Sequence, residues 1–385
     1  MSNFNVKITV LSPIHIGGAQ ERHYQKGLDV FWDNGTLYYL PLEALSEYMD
    51  DSLIQFFANG NKSAILERLK QKSIPFEKIA LRKWDCPKEP EQDEIKAFIK
   101  TGFGDPILPG SSIKGSVRSH LFKALSKGKV NNVIQSLKYG AKFNRGIEGE
   151  VLDYKNGRED IQLLRLFQFS DFLFDKSEIL PVKVFNLREY DDEWSGAWKY
   201  KSGSGNNEWE FSPHGFITHY EVLPKASSAI GKFNILGKEM LKFNGSYPPQ
   251  YGQLGFGNGN DLNKLFEIIN KNIKNYLQKE IDFFYKYYDD DEVADGQIAP
   301  FYEKLKEQAS ELKDGAILRV GGGSGFHSMT GDWIYDDHLI SVEKPYEQYQ
   351  RGKIKNYTKS RKFTFKKVDG VIEFSPLGWI KIENI

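Results

Sequence analysis

The sequence predicts an α+β protein with antiparallel sheets and helical insertions, arranged as two ferredoxin-like units. Three observations predict it. Asp33-Asn34-Gly35 and Val368-Asp369-Gly370 separate strand-like runs, and such turns join antiparallel neighbours. Strand-like and helix-like runs alternate twice, once in each half of the chain. Two stretches, 108–125 and 261–284, place apolar residues three and four apart, the spacing of long helices with one buried face.

In chain order, residues 4–12 (FNVKITVLS) alternate apolar and polar side chains, a half-buried strand, and lead into Pro13-Ile14-His15-Ile16-Gly17-Gly18. Strands at 28–32 and 36–40 form the first hairpin, and 41–72 reads as helical. In 108–125 (LPGSSIKGSVRSHLFKAL), Leu108-Pro109-Gly110 breaks the preceding chain, Ser111 or Ser112 is placed to cap a helix, and Ile113, Val117, Leu121 and Leu125 form its stripe. A polar, glycine-punctuated loop is expected over 140–160, and strands over 162–174 and 179–188. The segment 191–210, with Trp194, Trp198 and Trp209 among Gly, Ser and Asn, reads as a flexible insertion or as a hairpin that packs its own tryptophans. A strand at 216–223 follows. Asp261 then caps a helix striped with Leu262, Leu265, Phe266, Ile269, Ile273, Tyr276, Leu277 and Phe284, and ends in a solvated acidic run at 289–292. A strand at 316–320, the loop 321–325 and a terminal hairpin complete the chain. The expected units are 1–190 and 211–385, separated by 191–210.

Composition limits the function classes. The 385 residues suffice for more than one core, and 52 Lys plus Arg balance 52 Asp plus Glu, so a nucleic-acid surface has to arise from local clustering. Aromatics are 14% of the chain, enough to fill cores and leave some for base stacking. A single cysteine, Cys86, excludes an intrachain disulfide and a cysteine-based zinc site, which fits a reducing cytoplasm. There is no signal-like start and no apolar run of membrane-spanning length, so a soluble cytoplasmic protein without membrane contact is expected.

Three clusters can carry chemistry. Ser111 and Ser112 at a helix start, with Lys114 and Arg118 four residues apart, suit a phosphate, because the helix start carries partial positive charge and Arg grips phosphate oxygens in a fork. Gly321, Gly322, Gly323, Ser324 and Gly325 follow a strand and free their backbone N–H groups to approach an anion, without the Gly-Lys-Ser/Thr of a nucleotide loop. Residues 344–367, which include Lys359 and Arg361, mix Lys and Arg with Tyr and Phe, as a surface tracking an RNA backbone would. The 7 histidines lack metal-site spacing, so no metal or cofactor is expected. His15, beside the Gly17-Gly18 turn, is either a structural or ligand-contacting group or a general base.

LSPIHIGG at 11–18, LPGSSIKGSVRS at 108–119, RVGGGSGF at 319–326 and the terminal PLGWIKI together resemble the RAMP superfamily of CRISPR-associated RNA-binding proteins. Within it they are most like the family of fifth Csm subunits of type III-A effector complexes. SDFLF at 170–174 and HYEVLP at 219–224 fall where that family has strands. The resemblance implies a non-catalytic subunit that binds the guide RNA (crRNA), caps its 3′ side and supports its maturation in antiviral defence. The implied partners are crRNA, nearby target RNA, the other type III effector subunits and host trimming nucleases. It also implies an RNA path lined by His15, Gly17, Gly18, Ser111, Ser112, Lys114, Arg118 and the 321–325 loop. The 191–210 and 140–160 stretches depart from the family pattern. Two alternatives are a metal-independent endoribonuclease processing precursor crRNA with His15 or His327 as base, and a scaffold recruiting a nuclease through 191–210.

Overall fold

The first strand, β1 (Ser2–Val10), buries alternate residues Val6, Ile8 and Val10 and turns Asn3 and Asn5 to water, the period of two of a sheet with one covered face. The structure is a computed structural model that describes residues 2–18, 23–126, 151–156, 159–190, 193–200, 207–236, 249–288, 291–328 and 360–385. β1 lies between a strand at Ser228–Ile235 (β16) and the last strand, Trp379–Asn384 (β20), antiparallel to both. The sheet is completed by Phe167–Phe169 (β10) beside β16 and by Gly315–Arg319 (β17) beside β20.

Two helices cover its inner face. In α5 (Gly110–Ser126), Ile113, Val117, Leu121 and Leu125 are buried, and α7 (Asp261–Tyr287) adds Leu265, Ile269, Ile273 and Leu277 to the same core. Polar contacts fix how they pack. Asn270 of α7 donates to Gly315 O (2.9 Å) and accepts from Ile317 N–H (3.1 Å), satisfying backbone on edge strand β17, and Asn272 donates to His120 O of α5 (3.0 Å).

The second sheet centres on the long strand β12 (Glu178–Tyr190). It pairs with β13 (Glu193–Lys199), β15 (Thr218–Val222) and β18 (Ser360–Val368), and β18 turns at Asp369-Gly370 into β19 (Val371–Pro376). The pairings are antiparallel except that of β15 with β6 (Glu94–Lys96). Both sheets draw strands from either side of 191–210. A smaller lobe joins the hairpin β3–β4 (Val30–Asp33, Thr36–Tyr39) and β5 (Arg82–Asp85) to helices between residues 42 and 79, around cores of its own.

The class is therefore α+β with antiparallel sheets, but several local expectations need correction. α5 begins at Gly110, whose N–H donates to Asp171 Oδ1 (2.8 Å), so Ser111 and Ser112 lie inside the first turn and neither caps it. Gly110 is needed there, because a Cβ would stand 2.2 Å from Phe169 O. Asp261 is likewise inside its helix. Its carboxylate accepts from Gly257 N–H and the Tyr251 hydroxyl, 2.7 Å each, and so ties down the preceding loop. The 41–72 stretch is broken into short helices, and 162–174 into a 3-10 turn and two short strands. Within the expected 140–160 loop, Asp153–Asn156 pairs with Glu159–Gln162, and the part before 151 lies outside the described residues. For 191–210, read as a flexible insertion or as a hairpin packing its own tryptophans, the hairpin holds at Glu193–Lys199, which pairs with β12 and buries Trp198 among Phe185, Phe363 and Phe374, while Trp209 is 53% exposed. Residues 289–290 and 344–359, with Lys359, lie outside the described residues.

Arg361 differs most from its expected role. Instead of facing RNA it is 5% exposed, forks onto both Glu280 oxygens (3.0 and 3.1 Å), and lies over the Phe283 ring. Burial is the largest single influence and works to raise the Glu280 pKa, but the Arg361 charge, His327, Arg319 and the Arg361 hydrogen bonds together outweigh it and hold the carboxyl below its ordinary value. A carboxyl depressed in this way stabilises the fold above the ordinary carboxylate range and loses that contribution as pH falls through its lowered pKa. Glu280→Gln should therefore cost about 3–5 kcal/mol in urea unfolding at neutral pH by stranding a buried guanidinium, and the two unfolding curves should converge in acid. No gap at pH 7, or one that persists unchanged in acid, would contradict this.

Candidate functional site

Three of the motifs singled out in the sequence meet in space. The chain leaves β1, bends at Pro13, and carries His15 into a niche between β15 and the glycine loop. His15 O accepts the N–H of Gly322 (2.7 Å), Pro13 O accepts that of Gly378 (2.8 Å), and Gly378 O accepts that of Val320 (2.7 Å). The 13–18 turn, the 321–325 loop and the Leu377-Gly378 corner are thus joined backbone to backbone. Gly321 permits the contact: its φ is +82° and a Cβ would lie 2.4 Å from His15 O.

The loop alternates in hand, with positive φ at Gly321, Gly323 and Gly325 but not at Gly322 or Ser324. That alternation forms the shallow backbone concavity known to receive anions. Its carbonyls are held from behind: Arg319 donates to Gly323 O (3.3 Å), the Tyr276 hydroxyl to Ser324 O (2.8 Å), and Ser328 packs its hydroxyl on Gly325 O (2.9 Å). Arg319 and Tyr276 are themselves buried and hydrogen-bonded to each other.

His15 is 7% exposed. Its Nδ1 is 2.8 Å from Glu221 O, and since a carbonyl only accepts, Nδ1 carries the hydrogen and Nε2, on the Gly17 side, keeps its lone pair. Burial lowers its pKa, so the ring is neutral at pH 7. Tyr220 lies against it, ring centroids 4.5 Å apart, and Lys362 donates to the Tyr220 hydroxyl (2.9 Å). Lys362 also stands beside Gly323, where a Cβ would approach its Cβ to 3.4 Å. The sequence reading missed Tyr220 and Lys362. Lys362 was one cation in a basic run, and only the alternation along β18, which buries Arg361, Phe363 and Phe365, sets it apart.

The remaining candidates follow from α5. Lys114 is half-buried, which lowers its pKa, Arg118 is half-buried one turn on, and Ser111 is exposed. Lys123, farther along the helix, donates to His327 O (3.3 Å), tying α5 to the turn that closes the glycine loop. His327 is 4% exposed and packs toward Tyr276. From the other side, Ile99 N–H donates to Ile16 O (2.8 Å), and the chain from Ile99 runs through β7 (Ile107–Leu108) into α5. Turn and loop therefore form one surface, with Gly17 and Gly322 exposed on it and Gly18 half-buried, and α5 is tied to it at Lys123 and through the chain from Ile99, while Arg361 is buried. Among the described residues no group of three or more His, Cys, Asp or Glu is placed to hold a metal ion, and no helix is long and apolar enough to cross a membrane.

The family model of the RAMP superfamily matches residues 7–326, which takes in the turn, the helix and the loop. The chain belongs to the RAMP superfamily. It is 26% identical over 199 residues to the CRISPR system Cms protein Csm5 of Streptococcus thermophilus, a match covering 48% of this chain and 55% of that protein, so the likeness spans about half of the relative's length. Among solved structures the RAMP fold here resembles a chain of a Csm-crRNA-target RNA ternary complex from a type III-A CRISPR-Cas system, with TM-score 0.63 and 16% identity over 99% of this chain and 100% of that one. It also resembles the crystal structure of T. onnurineus Csm5, with TM-score 0.61 and 17% identity over 97% and 99%.

The geometry separates two glycines that the sequence treats alike. Gly321→Ala drives a methyl into a backbone carbonyl at positive φ, whereas Gly322→Ala meets nothing closer than 3.5 Å. Gly321→Ala should lower stability by about 1–3 kcal/mol, read as a fall in the urea midpoint, and Gly322→Ala should leave it within error. Equal effects would show that the loop does not hold the His15 turn as described.

Proposed function

We propose that this RAMP protein is a non-catalytic crRNA-binding subunit of a type III-A effector complex, working in the cytoplasm beside other effector subunits, with target RNA nearby. In this reading it caps the 3′ side of the guide and supports its maturation, including trimming by host nucleases. The observation that carries the proposal is the joining of the His15–Gly18 turn and the alternating glycine loop into one surface to which α5 is tied. Family membership, the partial identity to a Csm5 protein and the likeness to a chain of a Csm-crRNA-target RNA complex support it. Backbone N–H groups and cations grip phosphates without reading bases, as a protein that must accept guides of any sequence requires.

The chemistry of the site favours binding over cleavage. A metal-independent nuclease needs a base within reach of a ribose hydroxyl, and His15 and His327 are 7% and 4% exposed. Incubating the protein with repeat RNA in EDTA should leave the RNA intact, and a cyclic-phosphate product would move the reading to endoribonuclease.

Replacing Lys114 and Arg118 together by Gln should weaken binding of unpaired RNA and reduce the slope of log K against log salt by about 1.4, at about 0.7 for each phosphate of a single strand that is no longer neutralised. Fluorescence anisotropy from 50 to 300 mM salt, on the order of the range where counterion release is read, measures it. An unchanged slope would remove α5 from the RNA path.

A further inference from the structure

Phe103 is 99% exposed, whereas Phe98, five residues earlier, is fully buried. The turn that carries it is braced from within. Thr101 N–H donates to Asp105 O and Gly104 N–H to Thr101 O, 2.9 Å each, while Thr101 Oγ1 accepts from the N–H groups of Phe103 and Asp105 at 3.2 Å. One foot of the turn is anchored on buried Glu221, whose carboxylate takes Phe98 N–H (2.9 Å) and the Lys100 ammonium. The other foot pairs back, Ile107 N–H to Ile99 O (3.2 Å) and Phe174 N–H to Pro106 O (3.0 Å). Beneath it, Gly104 at φ +95° makes room for the Arg82 guanidinium, itself held by the Tyr39 ring and the Tyr24 hydroxyl. A large apolar ring is thus held in water at the tip of a well-braced turn.

Its position matters more than its exposure. The leg at Ile99 bonds to Ile16 of the His15–Gly18 turn, and the other leg passes through β7 into Gly110 at the start of α5. Phe103 therefore tips the connection between the surface described above and the helix tied to it. Its chain neighbours Thr101, Gly102, Gly104 and Asp105 are small or polar, and the exposed apolar side chains at the foot of the turn, Leu173 opposite Ile107 and Leu81 beside Arg82, are aliphatic, so Phe103 is the aromatic face that the turn presents. A lone aromatic face with little rotamer freedom suits an unpaired base, which stacks whatever its identity.

We propose that Phe103 is a stacking platform for an unpaired base of the bound RNA. The proposal rests on the reading of this chain as a guide-binding subunit and adds a contact that is neither electrostatic nor sequence-specific. It predicts a loss on Phe103→Ala that differs in kind from the loss on removing Lys114 and Arg118.

The test uses the full-length protein, fluorescein-labelled unpaired RNA and anisotropy at several salt concentrations. Phe103→Ala should weaken binding by roughly 5- to 100-fold at every salt concentration with the slope unchanged, as loss of one stacked base would, and Phe103→Trp should restore it. The site is exposed, so the urea midpoint of both variants should match the wild type. In RNAs carrying 2-aminopurine at successive positions, one position should be quenched by the wild type and not by Phe103→Ala. Wild-type affinity in Phe103→Ala would overturn the proposal. So would a variant that binds RNA normally but no longer co-purifies with the other effector subunits, since Phe103 would then be a protein anchor. A wild-type protein with no affinity for RNA would instead bring down the guide-binding reading itself.

Discussion

A carboxylate cut off from water is tolerable only when its lone pairs are met by donors, and Glu221 has no exposed surface. Its side chain collects the Ser177 and Tyr24 hydroxyls, the N–H of Phe98 and the ammonium of Lys100, while its backbone carbonyl takes His15 Nδ1–H. Chain segments far apart in sequence are thereby fixed to one point on β15. The orientation of His15, the footing of the Phe103 turn and the packing of the smaller lobe through Tyr24 and Arg82 all depend on it. Losing any one donor would leave a partly satisfied charge inside the protein, so these segments are held as a set and not one by one.

The second constraint is backbone approach. At Gly110, Gly321 and Gly378 a Cβ would fall 2.2 to 2.4 Å from a carbonyl oxygen of another segment, respectively Phe169, His15 and Val320. Each belongs to one of the motifs that stood out in the sequence, so these glycines join motifs to the rest of the fold before they do anything for a ligand. Gly17 and Gly322 make only ordinary contacts, Gly325 faces open space, and all three lie exposed, so these glycines can admit a ligand close to the backbone.

Features set by neighbouring residues were legible in the sequence. The hairpin turns required positive φ, and Asn34, Gly35, Asp369 and Gly370 have it; the helix stripes at 110–126 and 261–287 needed only period and length. What failed depended on distant partners. Gly196 reads as a breaker within a polar stretch, yet it sits inside β13 because the Phe185 ring occupies the place of its Cβ. Arg361 reads as part of a basic surface, yet it shares the inward face of β18 and meets Glu280, 81 residues away. Ser111 was displaced from capping by Asp171, 61 residues beyond the Gly110 N–H that it accepts. Of the site, the turn, loop and helix were visible as motifs, while Tyr220, Lys362 and Glu221 acquire their meaning only when β15 and β18 are placed.

Charge then shapes how such a protein can hold a polyanion. The 52 cations are matched by 52 acids, and several are consumed internally: Lys100 on Glu221, Arg361 on Glu280, Arg319 behind the glycine loop, Lys123 on His327 O, and Lys183 on the carbonyls of Ser212 and His214. With no formal net charge, the chain has no overall charge to draw RNA from a distance. At physiological salt only charges within roughly 8 Å of a phosphate count, so attraction has to come from the few cations and backbone dipoles facing the surface itself. A binder built this way gains little from each phosphate, and to hold RNA firmly it needs contacts that salt does not weaken. Buried cations that set the fold and an apolar ring left in water are two sides of that same allocation.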